Sequence, residues 1–198
     1  MTRFDLGLGA KTLSDIVTSV DDGDLRKPSP CPLFTVGDVI AHVGGFAQAF
    51  TAAARKERSP LVESPPTGDP APLPADWRAR IPDDLEGLAA AWRDPEAWVG
   101  ITRIAGMDAP AEMVALTVAD EIVVHGWDIA RSLGRDYDAD PDLVAAAQDF
   151  LSAFTSPDAP AGDDVPFGPS RLAPDGATRL EEVVALAGRD PSWTPPRT

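Results

Sequence analysis

The strongest constraint on the fold of this 198-residue chain is a long helical pattern over residues 110–133. Asp108 offers an N-cap, and Pro110 suits the first turn of a helix. Gly134 is typical of the position just after a helix ends. Between these residues the apolar side chains recur at helical spacing and not at strand spacing. The segment therefore predicts a single long helix.

A second segment, residues 35–55, has the same helical periodicity. Thr35 and Asp38 occupy the two positions of a capping box at its start. Gly44 and Gly45 in its middle lower the helix propensity by about 1 kcal/mol each. A backbone packed closely against a neighbouring element would explain that pair, so we expect tight packing at this point.

Shorter helical patterns and Pro-rich segments make up the rest of the chain. Further helices are predicted over residues 6–20, 75–92, 140–154 and 178–187, and loops over residues 21–34, 59–74 and 159–176. Residues 98–104 could be extended, but they lack an evident partner strand. The predicted class is therefore all-α, a helical bundle with short extra C-terminal helices and long Pro-rich loops. We expect residues 1–157 to form the bundle and residues 158–198 to form an extension packed on it.

Composition narrows the functional classes. The net charge of -15 disfavours nucleic acid and anionic membranes as partners, because both would be repelled. No apolar run reaches the roughly 20 residues needed to cross a bilayer, and the first residues lack the pattern of a secretory signal. The single cysteine, Cys31, cannot form an internal disulfide. A cytoplasmic location is therefore expected.

The chain has two histidines, His42 and His125, and they fall in its two best-defined helices. Glu121 lies one helical turn before His125, so these two side chains share a face, and His42 can supply a third ligand from an adjacent helix. Burying Glu121 with no partner would cost several kcal/mol, which a shared cation removes. Two imidazoles and a carboxylate suit Zn²⁺, Fe²⁺ or Ni²⁺. Three protein ligands leave coordination positions open, as in catalytic sites.

Alternatives to a metal site remain open from the residues alone. Buried histidines are usually core residues with a hydrogen-bond partner, and Glu-x3-His pairs also occur by chance on helix surfaces. Asp128 shares the face of His125 and could be a fourth ligand, a pocket residue, a salt-bridge partner of Arg131, or the acceptor that holds a ligand histidine. We favour the last role or a place in the pocket. Cys31, between two prolines, is interpreted as a packed residue rather than a nucleophile.

Three stretches of the sequence resemble a known family. They are "PSPCPLFTVGDVIAHVGG", which contains His42, "ADEIVVHGWDIARSLG", which contains Glu121 and His125, and the tail "PFGPSRLAPDGATRLEEVVALAGRDPSW". They resemble the metal-binding domain of the mycothiol-dependent maleylpyruvate isomerase family, within the DinB-like superfamily, and in particular its small actinobacterial branch. The resemblance implies a DinB-like four-helix bundle. It also implies that His42, Glu121 and His125 bind a divalent ion, usually zinc, with an exchangeable fourth position.

The resemblance also implies a class of chemistry, because characterised relatives use the low-molecular-weight thiol mycothiol. We therefore expect a metal- and mycothiol-dependent enzyme of S-transferase or isomerase type that acts on a small electrophile. A non-catalytic, metal-stabilised binding module and a metal-dependent hydrolase with Asp128 as general base stay open, and a homodimer is one option. The sequence departs from the family at Phe34, often Trp, and at Gly37, often Arg. Its tail is shorter than the C-terminal domain of the isomerase, so we expect a substrate other than maleylpyruvate.

Overall fold

The structure, a computed structural model, describes residues 3–64, 72–154 and 169–196. Their helices are α1 (Gly7–Thr18), α2 (Val36–Ala54), α3 (Pro60–Glu63), α4 (Trp77–Trp92), α5 (Ala111–Ser132), α6 (Pro141–Phe154) and α7 (Arg179–Leu186). Between α4 and α5 lie a 3-10 turn and two strands, Pro95–Trp98, β1 (Ile101–Ile104) and β2 (Met107–Pro110). The predicted helical class is confirmed, with one small hairpin added to it.

Four helices surround the main hydrophobic core. In order around the core they are α1, α4, α2 and α5, and α5 closes back on α1. The core is filled by fully buried large side chains from all four helices, among them Leu13, Ile40, Ile81, Leu85 and Ile122. Helix α6 packs on α5, and α7 packs on α6 and α5. The division of the chain at residues 157 and 158 stays a prediction.

Helix α2 begins as its sequence predicts. The Thr35 side chain accepts a hydrogen bond from the Asp38 backbone N–H, and the Asp38 carboxylate accepts one from the Thr35 backbone N–H. The two glycines in α2 differ from each other. A Cβ atom at Gly44 would lie 3.2 Å from the Ile81 side chain on α4, whereas a Cβ atom at Gly45 would meet nothing within 4 Å. Close packing therefore explains Gly44 but not Gly45.

We expect Gly45→Ala to stabilise the protein by about 0.5–1 kcal/mol, because alanine raises helix propensity and the added methyl group meets no neighbour. Gly44→Ala, one residue away, gains the same propensity but presses on Ile81, so it should stabilise less. Urea unfolding of the parent and both variants measures the difference. Equal stabilisation by the two substitutions would contradict the close approach of α4 to Gly44.

The segment before α5 differs from its prediction. Residues 98–104 do have a partner, because β1 pairs antiparallel with β2 and places Arg103 opposite Asp108. The expected Asp108 cap is wrong: its carboxylate lies 3.1 Å from the Arg103 guanidinium, and the helix starts at Ala111. The strands are joined by Ala105 and Gly106, both with positive φ, as in the two-residue turns that suit hairpins.

Two Pro-containing segments also bear on the predictions. Pro82 lies inside the predicted helix over residues 75–92, where a proline is expected to kink the helix or to start a second piece. In the structure α4 is one helix through Pro82, so no second piece starts there. The predicted loop over residues 59–74 contains α3, whose Val62 is fully buried. The prolines at positions 65, 66 and 70 lie outside the described residues. Among the helices that the structure describes, none has both the length and the apolar character needed to cross a membrane.

Candidate metal centre

His42 on α2 faces Glu121 and His125 on α5. The His42 Nε2 atom lies 3.0 Å from Glu121 Oε2, and the His125 Nε2 atom lies 3.1 Å from the same oxygen. The centroids of the two imidazole rings are 4.7 Å apart. One potential ligand atom from each residue falls within 4.8 Å of the other two. The structure thus brings together the three side chains that the sequence predicted as ligands.

The geometry of these three side chains fits a divalent ion. Two nitrogen or oxygen ligands of tetrahedral zinc lie about 3.3 Å apart, given metal–ligand distances near 2.0–2.1 Å. The observed separations of 3.0 and 3.1 Å therefore need to widen by only a few tenths of an ångström. The His42 side chain is 35% exposed and the Glu121 side chain 21% exposed. An ion held here would be reachable from solvent on the His42 side.

Without a metal, these groups form a strongly coupled cluster of charges. Burial on its own would raise the pKa of the Glu121 carboxyl, but the neighbouring His42 and His125 together outweigh burial and hold this pKa well below its usual range. Burial on its own would lower the pKa of His125, but its contacts with Asp128 and Glu121 outweigh burial and raise this pKa to about 9. A metal ion would therefore replace a proton on His125 at neutral pH.

The free energy of unfolding of the metal-free protein should fall as the pH rises from about 6.5 to about 9. A histidine whose pKa is raised by folding, here from 6.5 to about 9, stabilises the fold below its unfolded pKa and loses that contribution as the pH passes its folded pKa. The expected loss is roughly 3 kcal/mol. Urea unfolding in the presence of a chelator at pH 6.5 and 9.5 measures it.

A second buried group changes stability in the same direction and needs its own control. Burial is the main cause, and the nearby negative charge of Glu121 the second, of a rise in the pKa of Asp120 to about 8. Ionisation of Asp120 at higher pH therefore also lowers the free energy of unfolding. In Asp120→Asn the contribution of His125 should dominate, with a smaller loss above about pH 9 from Cys31, whose thiol pKa burial raises from 9.0 to about 11. An Asp120→Asn protein equally stable at pH 6.5 and 9.5 would show that His125 is not held in its protonated form.

Asp128 lies behind His125, fully buried. Its Oδ2 atom is 3.0 Å from His125 Nδ1 and 3.0 Å from Arg189 Nη2, and its Oδ1 atom is 3.3 Å from Arg189 Nε. Burial alone would raise the pKa of Asp128, but Arg189 and His125 outweigh burial and lower it. The carboxylate thus contacts His125 as an acceptor of its ring would, while its role beside a metal ligand stays a prediction. It forms no salt bridge with Arg131, which donates instead to the Trp193 carbonyl.

Arg189 is the residue at this site that sequence reasoning missed. It follows α7 and lies 61 positions after Asp128, so no local pattern connects the two. The usable signal is Gly188, which directly follows the predicted helix over residues 178–187 and has a φ of +82° in the structure. The position just after such a glycine often reverses toward the body of the protein. That position is occupied by Arg189.

Cys31 is half-buried, and the charges of Arg189, Asp128 and Glu121 act on its thiol. Burial raises the pKa of the Cys31 thiol to about 11. The positive charge of Arg189 acts against this rise, whereas the negative charges of Asp128 and Glu121 add to it. The thiol is therefore protonated at neutral pH, which favours a packing role over a nucleophilic one.

Two cavities within the described residues, of about 420 and 290 Å³, lie against α4 and are lined by none of the three candidate ligands. The larger adjoins α1 and the smaller adjoins α2. Neither cavity therefore reaches the candidate metal centre, whose most exposed side chain is that of His42, at 35%.

Comparison with known proteins identifies the family. Residues 6–130 match the family described as the mycothiol maleylpyruvate isomerase N-terminal domain. The chain belongs to this family. The matched range contains α1 to α4 and nearly all of α5, including the three candidate ligands. The family resemblance drawn from the sequence is therefore confirmed.

Solved structures of the family enzyme share the fold. Two crystal structures of the mycothiol-dependent maleylpyruvate isomerase, one of them a histidine-to-alanine mutant, cover 79% of this chain and 70% of their own. Their TM-scores are 0.57 for the mutant and 0.56, at 21% and 20% identity. This likeness confirms the DinB-like helical bundle.

A relative of similar length is an uncharacterized protein of Mycobacterium tuberculosis, found in strains CDC 1551 / Oshkosh and ATCC 25618 / H37Rv. It is 26% identical over 175 residues, which cover 88% of this chain and 90% of the relative. The likeness to this relative therefore extends past residue 130, where the family match ends, into the C-terminal part of this chain.

Proposed function

We propose that this chain binds one divalent metal ion, zinc in the first instance and nickel or iron as alternatives, through His42, Glu121 and His125. We further propose that it catalyses a mycothiol-dependent transfer or isomerisation of a small electrophile. The observation that carries the proposal is the convergence of three ligand atoms within 4.8 Å, with two of the side chains partly open to solvent. Membership of the family supports the thiol as co-substrate.

Each residue of the centre has a distinct task under this proposal. His42, Glu121 and His125 hold the ion. When bound, the ion would act as a Lewis acid that favours the ionised form of a nearby thiol at neutral pH. Asp128 accepts a hydrogen bond from the Nδ1–H group of His125, which leaves Nε2 for the ion. Phe46 packs beside both imidazoles, with ring centroids 5.7 Å from His42 and 6.5 Å from His125. It restricts their rotation and excludes water from that side.

The two alternatives fit the site less well. A hydrolase would need a general base free to act on water, yet both oxygens of the fully buried Asp128 are bonded to His125 and Arg189. A purely structural metal site would have a closed set of four ligands. Within the described residues, the cluster holds three, and Asp128 is not among them. An open, catalytic site is therefore the better interpretation.

The test combines metal analysis with a thiol-dependent assay. We expect purified protein to hold close to one metal ion per chain. We also expect it to consume one member of a panel of electrophiles, such as unsaturated keto acids and epoxides, when mycothiol is present. Glutathione serves as the control thiol, and a chelator followed by zinc should abolish and restore turnover.

Two outcomes would change the proposal. Metal-loaded protein that turns over no electrophile with mycothiol would leave only the binding module. Ester or amide hydrolysis that needs the metal but no thiol would favour the hydrolase instead.

A further inference from the structure

The end of α7 directs Arg189 toward α5. The Gly188 N–H donates to the Ala185 carbonyl at 3.0 Å, and the Arg189 N–H donates to the Val184 carbonyl at 2.9 Å. This pair of hydrogen bonds, with the positive φ of Gly188, is the Schellman motif that ends many helices. The hydrogen bonds at the end of α7 thus fix the backbone of Arg189 independently of the contacts that its side chain makes with Asp128.

The Arg189 guanidinium binds Asp128 through two nitrogens. Nε lies 3.3 Å from Oδ1 and Nη2 lies 3.0 Å from Oδ2, while Nη1 donates to the Ala187 carbonyl at 2.8 Å. The Arg189 side chain is only 13% exposed. A two-point contact of this kind fixes the plane of a carboxylate, which a single contact does not.

The fixed plane matters because Oδ2 of Asp128 also lies 3.0 Å from Nδ1 of His125. We propose that Arg189 is a positioning residue of the metal centre: it holds Asp128 so that His125 keeps its proton on Nδ1 and presents Nε2 to the ion. This inference rests on the proposed metal function. It makes the C-terminal segment part of the metal centre, because the last helix supplies the residue that orients a ligand on α5.

Another contact of the same C-terminal segment provides a matched control. Arg131 donates to the Trp193 carbonyl at 3.0 Å, so it also ties the C-terminal segment to α5. Unlike Arg189, it makes no contact with Asp128 within the described residues. Removing the Arg131 guanidinium therefore tests only the attachment of the segment to α5. Removing the Arg189 guanidinium also tests the orientation of His125.

The experiment compares Arg189→Gln, Arg189→Lys and Arg131→Gln with the parent. Zinc affinity is measured by chelator competition, and the two histidine rings are observed by ¹H–¹⁵N NMR with and without zinc. With only two histidines in the chain, each ring signal of the metal-free protein is assigned by comparison with His42→Ala, and zinc titration follows the assigned signals into the bound state. The NMR measurement observes the Nδ1–H signal of His125 directly. A variant that is less stable but still folded would keep this signal unchanged unless the contact with Asp128 is altered.

We expect Arg189→Gln to weaken zinc binding about 10- to 100-fold and to lose or broaden the Nδ1–H signal of His125. Arg189→Lys keeps the charge but not the two-point contact, so its zinc affinity should be intermediate. Arg131→Gln should match the parent in both measurements. Should Arg189→Gln fail to fold, judged by circular dichroism, Arg189→Lys decides by the same two readouts.

Three results would overturn the inference. The first is an Arg189 variant that folds, binds zinc like the parent and keeps the His125 signal. The second is an equal loss in Arg131→Gln, which would mean that only attachment of the segment matters. The third is a parent that binds no zinc, which would instead overturn the proposed metal site, and this role with it.

Discussion

Replacing His42 with alanine is expected to remove the metal from the purified protein. His42 is the only candidate ligand outside α5, and the two that remain, Glu121 and His125, lie one turn apart on a single helix. Two ligands from one helix cannot enclose an ion, so we expect zinc affinity to fall by roughly a thousand-fold, or about 4 kcal/mol. Metal content by mass spectrometry and chelator competition measure both quantities.

Glu121→Gln tests the same site from the other helix and has a matched control. This substitution keeps the size of the side chain but removes the charge that attracts the ion, so it should also lose metal. Glu112→Gln makes the same chemical change on α5 at an exposed position in the first turn, and it should bind metal like the parent. If both His42→Ala and Glu121→Gln retained one metal ion per chain, the proposed ligands would not form the metal site.

The helices were predictable because their signals are local. Thr35 and Asp38 are three residues apart and form the capping box that the sequence pattern indicates. Gly134 ends α5 with a positive φ, as its position after the apolar pattern predicts. The hairpin escaped prediction for the opposite reason. Its strands have four residues each, and its turn is Ala105-Gly106, without the Asn or Asp that usually marks such a turn.

The candidate metal centre was predictable in its ligands but not in its support. His42 and Glu121 lie 79 positions apart, yet their convergence could be anticipated, because the motifs that carry the family resemblance place both residues at one site. No sequence pattern marks Arg189 among the arginines of the chain as a residue of this site. Asp120 also gave no signal, although the structure buries it and leaves its Oδ1 atom without a partner among the described residues. The position of Arg189 depends on how the end of α7 packs against α5, which no local pattern encodes.

Gly126→Ala is expected to lower the free energy of unfolding by about 2 kcal/mol, although alanine is the better helix former. A Cβ atom at Gly126 would lie 2.2 Å from both Cζ and Oη of Tyr137, well inside van der Waals contact. Tyr137 is buried in a cluster with Trp127 and Val184, and its hydroxyl donates to the Ile122 carbonyl at 3.3 Å. The ring therefore has little room to move. Overpacking of this kind costs about 1–3 kcal/mol.

The clash has a second consequence, because Gly126 directly follows His125. If α5 shifts to relieve the contact with Tyr137, the imidazole of His125 shifts with it, so zinc affinity should fall together with stability. A double-mutant cycle with Tyr137→Leu isolates the contact. In that background the ring is gone, and Gly126→Ala should be neutral or stabilising by up to about 1 kcal/mol, as expected for Gly45→Ala. A Gly126→Ala protein stabilised in the parent background as well would show that Tyr137 does not pack on this turn of α5.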